Sequence, residues 1–272
     1  SYMARNAAGT PLLVARGQDK KVRAFINACR HRGMQVAAGQ GCSRAFSCPY
    51  HGWTYNLDGT LKGLPGKAAF PDVDMAASGL IEVSAAEKGG LVYVMQQGDI
   101  TDAMLEGAPD FLSSDQTLFH QSATEDNANW KLLTETLLGY HIKSLHRDSF
   151  YPFGLDNINV VETFGENSRI VYPFKRIEKL RAIKREQRRI AGSATLVYHL
   201  FPNVSVAVLS KHTSVTIIEP ISPTQTRMES FYVKHPDTIN ESITVEDAMR
   251  DVAFVNQGRK KIGKPLVQFK KP

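Results

Sequence analysis

Two short stretches of this chain, CRHRGM at 29–34 and CPYHGW at 48–53, each carry one cysteine and one histidine beside a glycine. Cys29, His31, Cys48 and His51 therefore run C-x-H, sixteen residues, then C-x2-H. Two thiolates and two imidazoles form a donor set that selects zinc or an iron–sulfur centre. A chain built this way must fold so that two loops present their donors to one place. Gly33 and Gly52 would let those loops turn closely around the sulfurs. Three cysteines cannot form a disulfide framework, and two already have this other use. A reducing, cytoplasmic compartment is the expectation.

Zinc is the plain alternative. Zinc motifs of Cys2His2 type, however, usually pair cysteine with cysteine and histidine with histidine along the chain. Here each loop supplies one of each. That division suits a two-iron centre with both thiolates on one iron and both imidazoles on the other, the ligand set of a Rieske [2Fe–2S] cluster. CRHRG and CPYHGW closely resemble the cluster loops of Rieske non-heme iron aromatic-ring-hydroxylating oxygenases, in their terminal oxygenase alpha subunit. By that resemblance Cys29, His31, Cys48 and His51 hold the cluster, while Tyr50 and Trp53 wall it and could donate hydrogen bonds. Respiratory Rieske proteins are similar at the ligands but carry an extra cysteine in each loop. Met34 and Tyr50 stand at those places, so that disulfide cannot form. Cys42, outside both patterns, is expected to be a small buried residue.

The first hundred residues read as short strands between glycine and proline turns, among them PLLVAR, VRAFINA and GGLVYVM. The polar segment 96–116 places a domain boundary near residue 100. A Rieske domain over 1–100 and a catalytic mononuclear iron domain over 101–272 are the expected organisation. The chain begins without methionine and soon reads as strand, so a segment is expected to precede residue 1. Beyond the boundary, NWKLLTETLLGYHIKSLH (129–146) begins as an amphipathic helix. ATLVYHLFPNVSVAVLS, TSVTIIEPIS and TRMESFYVKH follow as successive antiparallel strands, and a closing helix begins near 244. Runs of strands with a few long helices give an α+β class. An all-β N-terminal domain is followed by a curved antiparallel sheet wrapped by helices, a helix-grip arrangement. No apolar run approaches the roughly 18 residues that span a bilayer.

The net charge of +6 is concentrated in FKRIEKLRAIKREQRRI (174–190), which holds eight Lys or Arg against two Glu. Ile177, Leu180 and Ile183 predict one buried stripe on a solvated basic helix. No nucleic-acid reading motif accompanies it. Such a patch could instead steer an acidic partner protein.

His141 and His146 lie five apart, about 140° divergent on a regular helix, so they could share a metal only if the helix ended or distorted between them. NWKLLTETLLGYHIKSLH nevertheless resembles the Rieske oxygenase segment that opens with Asn-Trp-Lys and ends in two iron-binding histidines. Those enzymes complete a 2-His-1-carboxylate site with an aspartate on a late helix. In EDAMRDVAFVNQG that aspartate is Asp251, with Asp247 one turn earlier as the competitor. The acid that usually stands three residues before the first histidine, bridging the two centres across a subunit boundary, is replaced by Leu138. Glu135 is the nearest carboxylate before His141.

The resemblance implies an oxidoreductase that incorporates O2. Electrons from NAD(P)H would arrive through a reductase, with or without a ferredoxin, at the cluster and then at mononuclear Fe(II). A homotrimer is implied, with or without beta subunits, in which one subunit's cluster serves its neighbour's iron. An aromatic or apolar substrate, as in aromatic hydrocarbon catabolism, is expected, taken up by dioxygenation, monooxygenation or demethylation. Phe150, Phe153 and Leu155 would suit it at the pocket entrance. His199 and His212 read as satisfied core or surface histidines. The second reading is a Rieske-type electron carrier whose mononuclear site has degenerated.

Overall fold

The computed structural model describes residues 1–113, 115–138, 146–148, 150–155, 158–234 and 244–262; the side chains at 137–138 and 255–262 lie outside that description, as does His141. The chain divides into two compact units, Ser1–Thr101 and Asp102–Pro272.

The first unit is all strand and turn. It contains β1 (Tyr2–Ala7), β2 (Thr10–Arg16), β3 (Val22–Ile26), β4 (Gln40–Gly41), β5 (Phe46–Ser47), β6 (Thr54–Tyr55), β7 (Leu61–Gly63), β8 (Glu82–Lys88) and β9 (Leu91–Met95). They form a six-stranded sheet, β4-β1-β2-β3-β8-β9, and a three-stranded sheet, β5-β6-β7. The apolar run of β2 is explained by burial on both faces. Leu13 and Ala15 join Phe25, Phe46, Trp53, Tyr55 and Leu61 in the main core, while Leu12 packs with Ala24 and Val83 on the other side. Each fully buried side chain of this size contributes about 1.5–3 kcal/mol. Cys29 and Cys48 belong to the main core, so the two cysteine loops rest on the best-packed part of the unit.

The second unit is built on one antiparallel sheet of seven strands. These are β10 (Leu118–Asp126), β11 (Val160–Phe164), β12 (Asn167–Pro173), β13 (Ala194–Leu200), β14 (Val204–Val208), β15 (His212–Ser222) and β16 (Gln225–Lys234). Their spatial order is β10-β16-β15-β14-β13-β12-β11. The three runs expected from 194 onward as strands are β13 to β16. The short helix α1 (Asp102–Leu105) precedes the sheet, α2 (Trp130–Leu138) packs on β15, and α3 (Val245–Ile262) closes the described chain. Among the described residues no helix is long and apolar enough to cross a membrane.

The residues opening α2 explain how the helix is held. The Asn129 side-chain oxygen accepts from the Lys131 N–H at 2.9 Å, an N-cap, and its amide donates to the Pro223 carbonyl at 2.8 Å. Thr226 donates to the Ala128 carbonyl, also at 2.8 Å. The helix that leads toward residues 141–146 is thereby pinned to the β15–β16 hairpin. Asn129→Ala removes the cap and one tie together and should cost about 2 kcal/mol, measurable as a shift in denaturant midpoint.

The basic segment departs from expectation. Residues Lys175–Ala182 and Arg185–Gln187 form 3-10 turns rather than an α-helix, and no residue in them is buried. Ile177, Leu180 and Ile183 recur every three residues, which is the period of a 3-10 helix. Ile177 and Leu180 are half-buried while Ile183 is 40% exposed, so the stripe is shallow.

Candidate metal centres

The two cysteine loops are built to one plan. The Gly33 N–H donates to the Cys29 carbonyl, and the Gly52 N–H to the Cys48 carbonyl, at 2.8 and 2.9 Å. The Cys29 and Cys48 N–H groups return to the Met34 and Trp53 carbonyls, each at 2.8 Å. Gly33 and Gly52 have φ of 75° and 72°, the left-handed region that closes each turn and that side chains resist. The first loop is anchored by the buried Asn27. Its side-chain oxygen accepts from the Val36 and Ala37 N–H groups, and its amide donates to the Ala37 carbonyl.

The four donors differ in burial and in contact. Cys29 and Cys48 are buried, free thiols, and the His31 and His51 rings lie 4.7 Å apart. His31 Nδ1 is buried without a hydrogen-bond partner, an atom that awaits something positive. Residues arranged in this way fit a two-iron cluster with sulfur on one iron and nitrogen on the other. His51 sits below its usual pKa, through desolvation first and then through repulsion from His31 and Arg32, which favours the neutral, ligating form.

The surrounding aromatic residues divide their work differently from the sequence expectation. Trp53 stacks on His31 at 5.1 Å and 7°, and Tyr50, half exposed, lies against His51 at 3.7 Å. The Cys29 sulfur itself is met by a third ring. Tyr55 Oη lies 3.3 Å from Cys29 Sγ and accepts from the Arg30 N–H at 3.0 Å, so its own proton is directed at the sulfur. Burial, and next the Cys29 contact, push the Tyr55 pKa well up, so it stays a donor. Such a bond favours the reduced, more negative cluster. Tyr55→Phe should lower the cluster potential by about 50 mV, roughly 1 kcal/mol for one electron, read by redox titration of the visible spectrum. Cys42 is exposed rather than buried.

In the second unit, His146 is 1% exposed. It packs against Phe150 at 4.6 Å; Phe150 in turn meets Phe254 of α3 at 5.4 Å, edge to face. Phe153 also meets Phe254 at right angles, at 5.8 Å. This chain of rings connects His146 to the helix carrying both candidate aspartates.

The two aspartates have different surroundings. Asp247 Oδ2 accepts from the Thr244 N–H and hydroxyl at 3.1 and 2.8 Å, and the Asp247 N–H donates back to Thr244 Oγ1 at 3.1 Å. This is a capping box at the start of α3. Those bonds, the side-chain one foremost, hold the Asp247 carboxyl below its usual pKa. Asp247 is thus engaged as a cap. Asp251, one turn on, buries Oδ2 without an aligned hydrogen bond, 3.1 Å from Nδ1 of His212. The buried Asp251 oxygen and the buried His146 imidazole are donors of the kind that fit a mononuclear ferrous site. Glu135 is exposed on α2.

A polar row crosses the sheet that no pattern along the chain announces. Cross-strand register aligns Ser168, His199, Ser205, Thr216, Ser230 and Ser122 over six strands. Thr216 and Ser230 share a 2.9 Å hydrogen bond. His199 Nε2 is buried and unpartnered, and burial pushes its pKa down to about 4. His212 lies an even number of residues from Thr216 on β15, so both project from the same face. That is the face Asp251 of α3 approaches.

Comparison with known proteins agrees with this architecture. The Rieske [2Fe-2S] domain model matches residues 1–77, and the model for the ring hydroxylating alpha subunit (catalytic domain) matches residues 114–261. The chain belongs to the ring-hydroxylating alpha subunit family. It is 29% identical over 189 residues to the carnitine monooxygenase oxygenase subunit of Acinetobacter pittii, covering 64% of this chain and 49% of that protein. It is 33% identical over 156 residues to the 2-aminobenzenesulfonate 2,3-dioxygenase alpha subunit of an Alcaligenes species, covering 53% and 40%. The crystal structure of a quaternary ammonium Rieske monooxygenase shares the fold with a TM-score of 0.74 at 21% identity, over 96% of this chain and 71% of that one. The chain spans about half the length of the curated relatives it matches, or less.

Proposed function

We propose that the chain acts as the terminal oxygenase component of a multicomponent system fed with electrons from NAD(P)H by a reductase, directly or through a ferredoxin. One observation supports this above others: the chain combines a two-plus-two Cys/His loop pair with a second buried His and carboxylate on a separate unit. In this reading Cys29, Cys48, His31 and His51 hold the [2Fe–2S] cluster, and His141, His146 and Asp251 hold the mononuclear iron. When bound, these groups supply one-electron storage and O2 activation for insertion into a C–H bond or ring. The protein's part is to bind and orient. Tyr55 fixes the charge state at Cys29, Phe150 holds the His146 ring, and Asp247 caps the helix that presents Asp251. A homotrimer in which one subunit's cluster serves the next subunit's iron belongs to the same proposal.

For the substrate we propose a small molecule with a methylated quaternary ammonium group and a polar end, in place of the expected aromatic or apolar compound. Relatives of this chain act on carnitine. Phe150 and Phe153, each edge to face with Phe254, offer the aromatic faces that attract such cations. The sheet row from His199 to Ser230 offers hydrogen bonds an arene would not use. The protein should be reconstituted with a compatible reductase and 18O2, then given carnitine, glycine betaine, choline and 2-aminobenzenesulfonate. Labelled product from a quaternary amine supports the proposal; product from the arene alone overturns the substrate class.

The electron-carrier reading is favoured by Leu138 at the usual place of the bridging acid. Iron content separates the two: about three irons per chain for the oxygenase, about two for the carrier.

A further inference from the structure

We infer that His212 is a positioning residue for the Asp251 carboxylate. It would donate its Nδ1–H to Oδ2 and so fix which oxygen lone pairs remain for the metal. The inference rests on the reading of Asp251 as an iron ligand and adds a residue to it. His212 is 0% exposed at the start of β15, where its carbonyl accepts from the Leu209 N–H at 3.0 Å and its register places it opposite Lys234. Its ring lies between two aromatic neighbours, edge-on to Phe119 at 6.1 Å and 88° and tilted against Tyr232 at 5.8 Å and 52°. That packing limits ring rotation. The Nδ1–Oδ2 separation of 3.1 Å is already that of a hydrogen bond, though the groups are not aligned as one, and neither ring nitrogen has another partner. A buried donor and a buried acceptor left unpaired are unfavourable, and a small rotation satisfies both.

The reading takes His141 and His146 as the imidazole ligands, which leaves His212 outside the ligand set. An imidazole behind a ligating carboxylate is the arrangement by which outer residues orient metal ligands, and removal of such a residue typically weakens metal binding 10–100-fold. A carboxylate that rotates freely can present either oxygen; one held at Oδ2 presents a single arrangement. The remaining Nε2 is buried, and is an acceptor when Nδ1 carries the proton.

The test compares two amide substitutions of similar polarity. In His212→Asn the side-chain nitrogen stands near the position of Nδ1; in His212→Gln it stands near that of Nε2. After selective removal of mononuclear iron, Fe(II) affinity is measured by anaerobic equilibrium dialysis, with the cluster's visible spectrum as the control for folding. Affinity should fall at least about tenfold in His212→Gln and stay within about threefold of wild type in His212→Asn. Equal losses in both, or none in His212→Gln, would overturn the inference. Asp251→Ala keeps the two readings distinct: retained iron in that variant removes the assignment of Asp251 itself, whereas lost iron with normal affinity in His212→Gln removes only the role of His212.

Discussion

Asp251→Ala is expected to abolish turnover and lower the iron content from about three to about two per chain, with the cluster spectrum unchanged. Asp247→Ala, one helical turn away, should keep turnover within about twofold and lose only about 1 kcal/mol of stability. The two residues share a helix and a charge, so the contrast isolates their surroundings. Asp247 exchanges hydrogen bonds with Thr244 in a capping box, and its carboxylate is stabilised where it stands. Asp251 Oδ2 is buried with His212 as its nearby polar atom. A buried carboxylate left in that state is unfavourable in the metal-free protein, and a divalent cation relieves it. The measurements are iron by elemental analysis, the visible spectrum, and product formation with the reductase present. If Asp247→Ala lost the third iron while Asp251→Ala retained it, the assignment of the two aspartates would be reversed.

The sequence made the cluster loops legible because their information is local. Spacing, donor type and the adjacent glycines all lie within 25 residues, and the two turns repeat the same hydrogen bonds. Strands β2, β3, β13 and β15 were equally readable, because β-branched and apolar runs between turn residues leave few alternatives. The α3 helix was recognised and Asp251 was preferred to Asp247, but the capping by Asp247 was not foreseen, since a capping box is visible only once the helix start is fixed at Val245. Tyr55, Asn27 and His212 escaped for a different reason. Each acts on a residue brought close by sheet pairing rather than by chain order, and a lone Tyr, Asn or His carries no pattern. The polar row is of the same kind: its members come one from each strand, so register alone makes them neighbours. The basic segment failed through period, because a three-residue recurrence was read as an α-helical one.

Cys48→Ala is expected to give colourless protein with about one iron per chain and a first unit that melts at least about 10 °C lower, whereas Cys42→Ala should change neither. The size of the first effect follows from where the sulfur lies. Cys48 is 4% exposed in the core with Phe46, Trp53 and Tyr55, so the binding energy of the metal group and the folding energy of this unit are coupled. Without a cluster, His31 Nδ1 stays buried and unpartnered, which alone costs about 1–3 kcal/mol. Gly52, held at a φ of 72° to close the turn, then keeps its strained-for-others geometry with no sulfur ligand to organise. Cys42 is exposed and outside both loops, so its thiol can be removed without touching any of this. Visible absorption, iron analysis and a thermal scan by circular dichroism read all three quantities on one preparation. A brown Cys48→Ala protein with an unaltered cluster spectrum would contradict the ligand assignment, and so would a Cys42→Ala protein that lost its colour.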